Sequence, residues 1–345
     1  MPEDPFKDFK FIPQVDEMLE TTYSIANKRA DSISGKNDTV ILAKRREEKR
    51  IQVAYKHVME FLEAVVKSVP DLSALPPFYF DLAQVLVDND LLKKKLGRIS
   101  GAIRVLERLM REHVRAIPRL HREAAIHEKR KEAFGRMKSV VDKLQGDFEY
   151  LRAARAKLRA LPVIDTDVPA IVIAGYPNVG KSSIVNNFCG SKIQVAAYPF
   201  TTKDITIGHY QKGFFNVQLV DTPGVLDRPM VERNVIERQA ITALKHLANI
   251  IAFVIDPTQN CGYSIDAQLA LLDEVAKSFP TIPRMIIIAK KDLVTKEELA
   301  TITTRLQELG ETTIVPYSSI SRENEDQLLA ILMDKVKPFQ RRVTR

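Results

Sequence analysis

An apolar run, Ala170-Ile-Val-Ile-Ala174, passes directly into Gly175-Tyr-Pro-Asn-Val-Gly-Lys-Ser182, and that loop passes into the helix-compatible stretch Ser183-Ile-Val-Asn-Asn-Phe188. A strand, a glycine-bearing loop of the form GxxxxGK[ST] and a helix start in immediate succession leave few alternatives to a phosphate-binding corner in an α/β sheet. Glycine lets backbone wrap closely round a phosphate chain, so that successive N–H groups point at its oxygens. Asn178, Val179, Gly180, Lys181, Ser182 and Ser183 are therefore candidate nucleotide-binding residues. Lys181 is placed to reach the β- and γ-phosphates, and the Ser182 hydroxyl to ligate Mg²⁺. The pattern predicts a nucleoside triphosphate site.

Downstream residues complete that expectation. Tyr198-Pro-Phe-Thr201-Thr202 is followed by a strand-like run that ends in Asp221-Thr-Pro-Gly224. An Asp at the carboxyl end of a strand beside the phosphate loop is suited to hold Mg²⁺ through water, and the Gly224 N–H to sense the γ-phosphate. Thr202, or less favourably Thr201, is positioned to close the metal shell when that phosphate is present. Its loss then frees both loops, a two-state switch. Lys181, Thr202 and Gly224 are the expected catalytic groups. Further on, Ile286-Ile-Ile-Ala-Lys290-Lys-Asp292 stands where guanine-binding proteins place Asn-Lys-Xxx-Asp. Asp292 is expected to accept from the guanine N1–H and N2–H₂, with the Lys290 stem along the base plane. Ser318-Ser319-Ile320 follows the last strand and is expected to supply backbone contacts to the guanine oxygen. Ala289 replaces the usual Asn, at a cost of about 1 kcal/mol, the order of one net hydrogen bond. Val225 stands where Ras-like switches carry a water-orienting Gln, so slow intrinsic turnover is expected. K⁺ near the β/γ bridge, with Asn178 as a ligand, is one way to supply the missing stabilisation; a turn-forming role for Asn178 is the other reading.

The 345 residues suffice for two domains. Two cysteines, Cys189 and Cys261, without pairing or metal-ligand spacing fit a reducing compartment. Apolar runs are strand-sized, and Met1-Pro-Glu-Asp-Pro5 lacks a signal-peptide pattern, so a cytoplasmic chain with no membrane association is expected. Residues 1–161 read as a helical domain with candidate helices over 47–69, 91–117 and, interrupted by Gly135 and Gly146, 119–161. Residues 162–169 read as a linker. Residues 170–345 alternate β and α, which predicts a mostly parallel six-stranded sheet with helices on both faces. One antiparallel hairpin is expected at Gln211-Lys-Gly213.

At this point the residues resemble a known family. The phosphate loop with Tyr198-Pro-Phe-Thr-Thr-Lys203 looks like the Obg-type branch of translation-factor-related GTPases. Within that branch, Asp221-Thr-Pro-Gly-Val-Leu-Asp-Arg-Pro229, Glu232-Arg-Asn234 and Ile236-Glu-Arg-Gln-Ala240 are similar to the Nog (nucleolar G protein) family. Leu75-Pro-Pro-Phe-Tyr79 and Leu91-Leu-Lys-Lys-Lys-Leu-Gly97 resemble that family's helical N-terminal domain, and a chain that ends at Arg345 looks like its compact archaeal form. The resemblance implies a P-loop GTPase that joins large ribosomal subunit precursors, contacts rRNA and ribosomal proteins, and uses its nucleotide state to gate binding or release.

The charge distribution agrees with such a partner. Residues 91–160 carry 20 Lys/Arg against 8 Asp/Glu, whereas residues 1–90 carry 12 against 16 and residues 161–345 carry 20 against 20. A basic surplus confined to one segment points to a polyanion. Arg104, Arg108, Arg111 and Arg115 share one helical face, and Arg152, Arg155 and Arg159 form a second stripe; both are RNA-contact candidates. The bland alternative is a solvated face paired with Glu107, Glu112 and Glu123. No RNP motif, zinc knuckle or major-groove helix is recognisable, so recognition by RNA backbone and shape is expected. Three other functions stay open on sequence: a guanine-nucleotide-gated scaffold with negligible hydrolysis, a basic G protein at an anionic membrane, and an ATPase permitted by Ala289.

Overall fold

The computed structural model of the chain describes residues 3–34, 39–190, 192–196, 198–199, 204–213, 215–229 and 232–339. Two compact units are present: a helical unit of Pro5–Leu72 and Val87–Arg159, and a sheet unit that runs from Ala160 onward and includes Ser73–Leu86.

In the helical unit, α1 (Val15–Asp31) and α2 (Thr39–Ser68) are followed by α4 (Asn89–Ala116), α5 (Glu123–Asp142) and α6 (Gln145–Arg159). Burial of Ile51, Ala54, Tyr55, Val58, Leu62 and Val65 follows the three-and-four spacing of one helix face, so α2 forms the spine against which the others pack. Asp88 caps α4 by accepting from the Leu91 N–H at 2.9 Å, and Pro118 ends it in a single 3₁₀ turn. The expected long helix over 119–161 is two helices, with the break at Lys143–Leu144. Gly146 falls in the first turn of α6, while Gly135 is accommodated inside α5. Two buried carboxylates tie helices together. Asp147 of α6 meets Lys95 of α4 at 2.9 Å and Arg98 at 3.3 Å. Glu47 of α2 meets Arg130 of α5 at 3.3 Å and His127 at 3.1 Å.

In the sheet unit the strands are β1 (Ala170–Ala174), β2 (Ile193–Ala196), β3 (Ile205–Lys212), β4 (Phe215–Asp221), β5 (Ala248–Ile255), β6 (Arg284–Ile288) and β7 (Ile314–Pro316). Their order is β2-β3-β4-β1-β5-β6-β7, with β4, β1, β5, β6 and β7 parallel and β3 and β2 antiparallel at one side. Among the described residues the sheet therefore has seven strands where six are expected. The added strand, β2, is a four-residue edge element on which Val195 is exposed, so no burial pattern marks it in the sequence. The central strands β1, β5 and β6 are apolar almost throughout because both faces are covered, as parallel strands require. Helices α7 (Lys181–Cys189), α8 (Val235–Ala243), α9 (Ile265–Ser278), α10 (Lys296–Glu308) and α11 (Glu325–Val336) flank the sheet.

Ser73–Leu86, expected within the helical domain, belongs instead to the sheet unit, where α3 (Pro77–Leu86) packs against α8. Residues 162–169 are anchored as well. The Tyr79 hydroxyl accepts from the Ile164 N–H at 2.7 Å and donates toward the Pro162 and Ile164 carbonyls. The buried Gln218 amide of β4 donates to the carbonyls of Asp165 and Val168 at 2.7 and 3.0 Å.

Candidate guanine-nucleotide site

Parallel strands bring the loops after β1, β4, β5, β6 and β7 to one edge of the sheet. The order reverses beside β1, which is where doubly wound sheets bind ligands. At Gly175 (φ 132°) a β-carbon would lie 2.5 Å from the Val254 carbonyl oxygen of β5, so only glycine permits that close approach. Asn178 (φ 64°) and Gly180 (φ 108°) are left-handed and turn the loop back into α7. Val179 is buried as its anchor, while Asn178, Ser182 and Ser183 face outward. The resulting pocket is lined by Pro177, Asn178, Gly180, Lys181, Ser182, Ser183, Pro223 and Asp227.

Lys181 is buried, and its Nζ donates to the carbonyls of Gly175 and Tyr176, both at 2.8 Å, which braces the loop from within. Ser182 Oγ donates to Asp221 Oδ2 at 2.5 Å. Burial pushes the Asp221 carboxyl up, against the Ser182 hydrogen bond and the nearby Lys181 charge. Asp221 Oδ1 is buried with no hydrogen-bond partner among the described residues. A hydroxyl and a carboxylate with a spare oxygen, beside an anion loop, fit a hard divalent cation such as Mg²⁺. Thr201 and Thr202, expected to close the metal shell, lie outside the described residues.

The segment after Asp221 is held by contacts of its own. The Gly224 N–H, expected to sense the γ-phosphate, donates to Asp227 Oδ2 at 2.6 Å. Val225 is only 1% exposed, so its side chain belongs to the core and not to the phosphate pocket. Asp227 is accompanied by the buried Arg233, whose guanidinium lies 3.6 Å from Asp227 Oδ1 and donates to the carbonyls of Gly224 and Arg228 at 2.9 and 3.3 Å.

At the base end, Ala289 is buried after β6; a β-carbon on Gly180 would lie 3.8 Å from the Ala289 β-carbon, so this residue faces the phosphate loop. Lys290 adopts a left-handed conformation (φ 53°), and its Nζ donates to Asp256 Oδ2 at 2.6 Å. Burial pushes the Asp256 carboxyl up, but hydrogen bonds from Lys290 and Thr258 outweigh it and hold the group below its ordinary value. Asp292 is exposed on the 3₁₀ turn Lys291–Leu293, free of the strand it follows. The Ser319 carbonyl accepts from Asn187 Nδ2 of α7 at 2.9 Å, and the same amide donates to the Tyr317 hydroxyl at 2.8 Å; Ile320 is 86% exposed. The loop after β7 is thus fastened to the helix that begins at Lys181.

Sequence reading missed Asp227, Arg233, Asp256 and Asn187. Asp256 had a signal, since it ends the apolar run 250–255 as Asp221 ends its own strand. The other three act through partners distant along the chain or through a loop of irregular backbone.

The arginine candidates divide. Arg104, Arg108, Arg111 and Arg115 are all exposed on α4, and Arg108, Arg111 and Arg115 line one depression with Arg119, Lys129 and Glu112. Arg111 is paired with Glu107. Arg152, Arg155 and Arg159 donate to the backbone carbonyls of Pro13, Phe9 and Lys7 at 3.0, 2.8 and 3.3 Å, so they fasten the amino-terminal segment onto α6. The second stripe, also a candidate for RNA contact, makes these backbone bonds in this structure.

Comparison with known proteins agrees with this geometry. The family described as NOG1 N-terminal helical domain matches residues 6–165, and the family described as 50S ribosome-binding GTPase matches residues 170–291. An uncharacterized protein of Methanocaldococcus jannaschii is 38% identical over 296 residues, covering 86% of this chain and 83% of that protein. Nucleolar GTP-binding protein 1 of Drosophila melanogaster is 31% identical over 307 residues, covering 88% of this chain and 47% of that protein. Its namesake in Saccharomyces cerevisiae is 29% identical over 294 residues, covering 85% and 45%. The chain spans about half the length of these nucleolar relatives. With a NOG1 N-terminal helical domain joined to a P-loop GTPase domain, the chain belongs to the Nog-type GTPases.

Proposed function

We propose that the chain is a GTP-hydrolysing switch that acts in large ribosomal subunit assembly and binds rRNA through the exposed arginines of α4. The observation that carries the nucleotide reading is the Lys181–Ser182–Asp221 cluster, with a buried Asp221 oxygen that has no partner among the described residues, beside an anion loop. In this reading the loop's N–H groups and Lys181 hold the β- and γ-phosphates, and Ser182 and Asp221 hold Mg²⁺, the latter through water. The metal supplies charge neutralisation across the phosphate oxygens. Asp292 reads the guanine edge, Lys290 lies along the base plane while Asp256 fixes its stem, and the backbone of Ser319 and Ile320 meets the guanine oxygen. Support for ribosomal partners comes from the description of the family matched by residues 170–291 and from the names of the nucleolar relatives.

Competition binding with a fluorescent guanine nucleotide tests the site. GTP and GDP are expected to displace it and ATP to require at least about a hundredfold more, the order lost when a site's hydrogen-bonding group goes unpaired. Equal displacement by ATP would refute the guanine assignment.

The core position of Val225 favours a second reading, a guanine-nucleotide-gated scaffold with negligible hydrolysis, because no side chain there orients water. Phosphate release stimulated by large-subunit particles separates the two. On the hydrolytic reading intrinsic turnover is slow and rises in K⁺ relative to Na⁺ through Asn178. Equal rates in both salts would remove the cation.

A further inference from the structure

The Gly224 amide already has an anion. Asp227 Oδ2 accepts its N–H at 2.6 Å, the short range of a charge-assisted bond, and Asp227 is one of the residues that line the phosphate pocket together with Lys181 and Ser182. The carboxylate is 6% exposed, so the low local dielectric strengthens whatever charge it faces. Its countercharge, Arg233, is 4% exposed and has a buried Nε with no partner among the described residues. Arg233 also donates to the Gly224 carbonyl, so the pair grips Gly224 from both sides: Asp227 holds its N–H and Arg233 its C=O. Gly224 is left-handed (φ 75°), a conformation from which glycine rotates its flanking peptides at little cost.

We propose that Asp227 is an internal surrogate for the γ-phosphate, a residue that sets the preference of the site between GTP and GDP. With GDP bound, the Asp227 carboxylate occupies the Gly224 amide, and the Asp227–Arg233 pair holds the segment in the arrangement seen here. A γ-phosphate entering the same pocket meets a like charge at the donor it needs, and it binds only by displacing Asp227. GTP affinity is lowered by that competition; GDP affinity, which makes no use of the Gly224 amide, is not. The displacement has a route outward. The Arg233 carbonyl accepts from Arg238 Nη1 at 2.9 Å, and Arg238 lies in the first turns of α8, so release of Asp227 loosens the contact that fixes the start of that helix. This inference rests on the guanine-nucleotide reading of the pocket and adds to it the residue that opposes the γ-phosphate.

The test measures the affinity of the full chain for GDP and for a non-hydrolysable GTP analogue, with Mg²⁺, in the wild type and in Asp227→Ala and Asp227→Asn. Removal of the carboxylate is expected to raise affinity for the analogue about tenfold relative to GDP, with GDP binding within about twofold of wild type. Asp227→Asn, which keeps a neutral acceptor for Gly224, is expected to fall between. If Asp227→Ala loses GDP binding because Arg233 is left unpaired, the Asn variant decides by the same ratio. An unchanged ratio, or weaker binding of the analogue, overturns the surrogate role. Absence of GDP binding in the wild type would instead remove the guanine-nucleotide reading itself.

Discussion

Asp221 and Ala289 stand at opposite ends of the candidate site, and their surroundings set what each contributes. Asp221 is buried at the end of β4 with one oxygen bonded to Ser182 and the other without a partner among the described residues, so its carboxylate is oriented before any ligand arrives. Ala289 faces Gly180, so an amide at this position would reach the phosphate loop. Ala289→Asn is therefore expected to tighten GDP binding about fivefold, one net hydrogen bond's worth, in a nucleotide titration. Unchanged affinity would contradict that role for the amide. In the helical unit, His113 of α4 is buried, and both ring nitrogens lack partners among the described residues. Burial holds its pKa below the ordinary 6.5, with Lys129 and Arg136 acting in the same direction and Glu132 and Glu112 opposing them. The unfolded chain thus takes up this proton first, and stability falls as pH drops below about 6.5. Urea unfolding between pH 5 and pH 8 should show that loss in the wild type and a shallower one in His113→Leu. Equal slopes would contradict it. Of the site residues, Lys181, Ser182 and Asp221 were legible because their spacing and their positions at strand ends imply their chemistry. Asp227 and Arg233 were not, because a buried pair that brackets a glycine leaves no periodic trace.

At the scale of elements, the sequence announced what was long and apolar. Strands β1, β5 and β6 read directly, whereas β2 did not, since a four-residue edge strand satisfies half its backbone groups with solvent. The helical breaks at Pro118 and near Gly146 were visible, but α1 escaped notice because its apolar face is short and interrupted by Thr22. The carbonyls that Arg152, Arg155 and Arg159 hold could not be read from helical spacing, because they belong to a segment distant along the chain. Packing between α7 and β3 supplies a sharp test. A β-carbon on Gly208 would lie 2.7 Å from Cys189 Cβ and 2.9 Å from Val185 Cγ1. Gly208→Ala should destabilise the sheet unit by about 1–3 kcal/mol, the usual cost of overpacking, and should weaken GDP binding by displacing α7. A thermal midpoint equal to wild type would show that α7 shifts freely.

For the molecule as a whole, charge and connectivity matter most. The basic surplus resides in residues 91–160, and in the folded helical unit Arg108, Arg111 and Arg115 of α4 share one exposed depression with Arg119 and Lys129. Replacement of Arg108, Arg111 and Arg115 by Ala is expected to weaken binding to large-subunit rRNA and to lower the slope of log affinity against log salt by about 2, leaving GDP affinity intact. A salt slope unaltered by the triple change would move the RNA contact elsewhere. The segment Ser73–Leu86 folds with the sheet unit, against α8, although its chain neighbours α2 and α4 are helices of the other unit. The backbone therefore leaves the helical unit, visits the helix that follows the Gly224 segment, and returns. That path could not be read from composition, because α3 is helical like its neighbours and only its partner distinguishes it. On the proposed function, nucleotide state is expected to govern association with the large subunit. The most direct measurement is gradient sedimentation of the full chain with purified large-subunit particles at moderate salt, in the presence of GDP or a non-hydrolysable GTP analogue. Co-migration in one nucleotide state and its loss in the other is the predicted result; equal migration in both, with nucleotide binding intact, would contradict it.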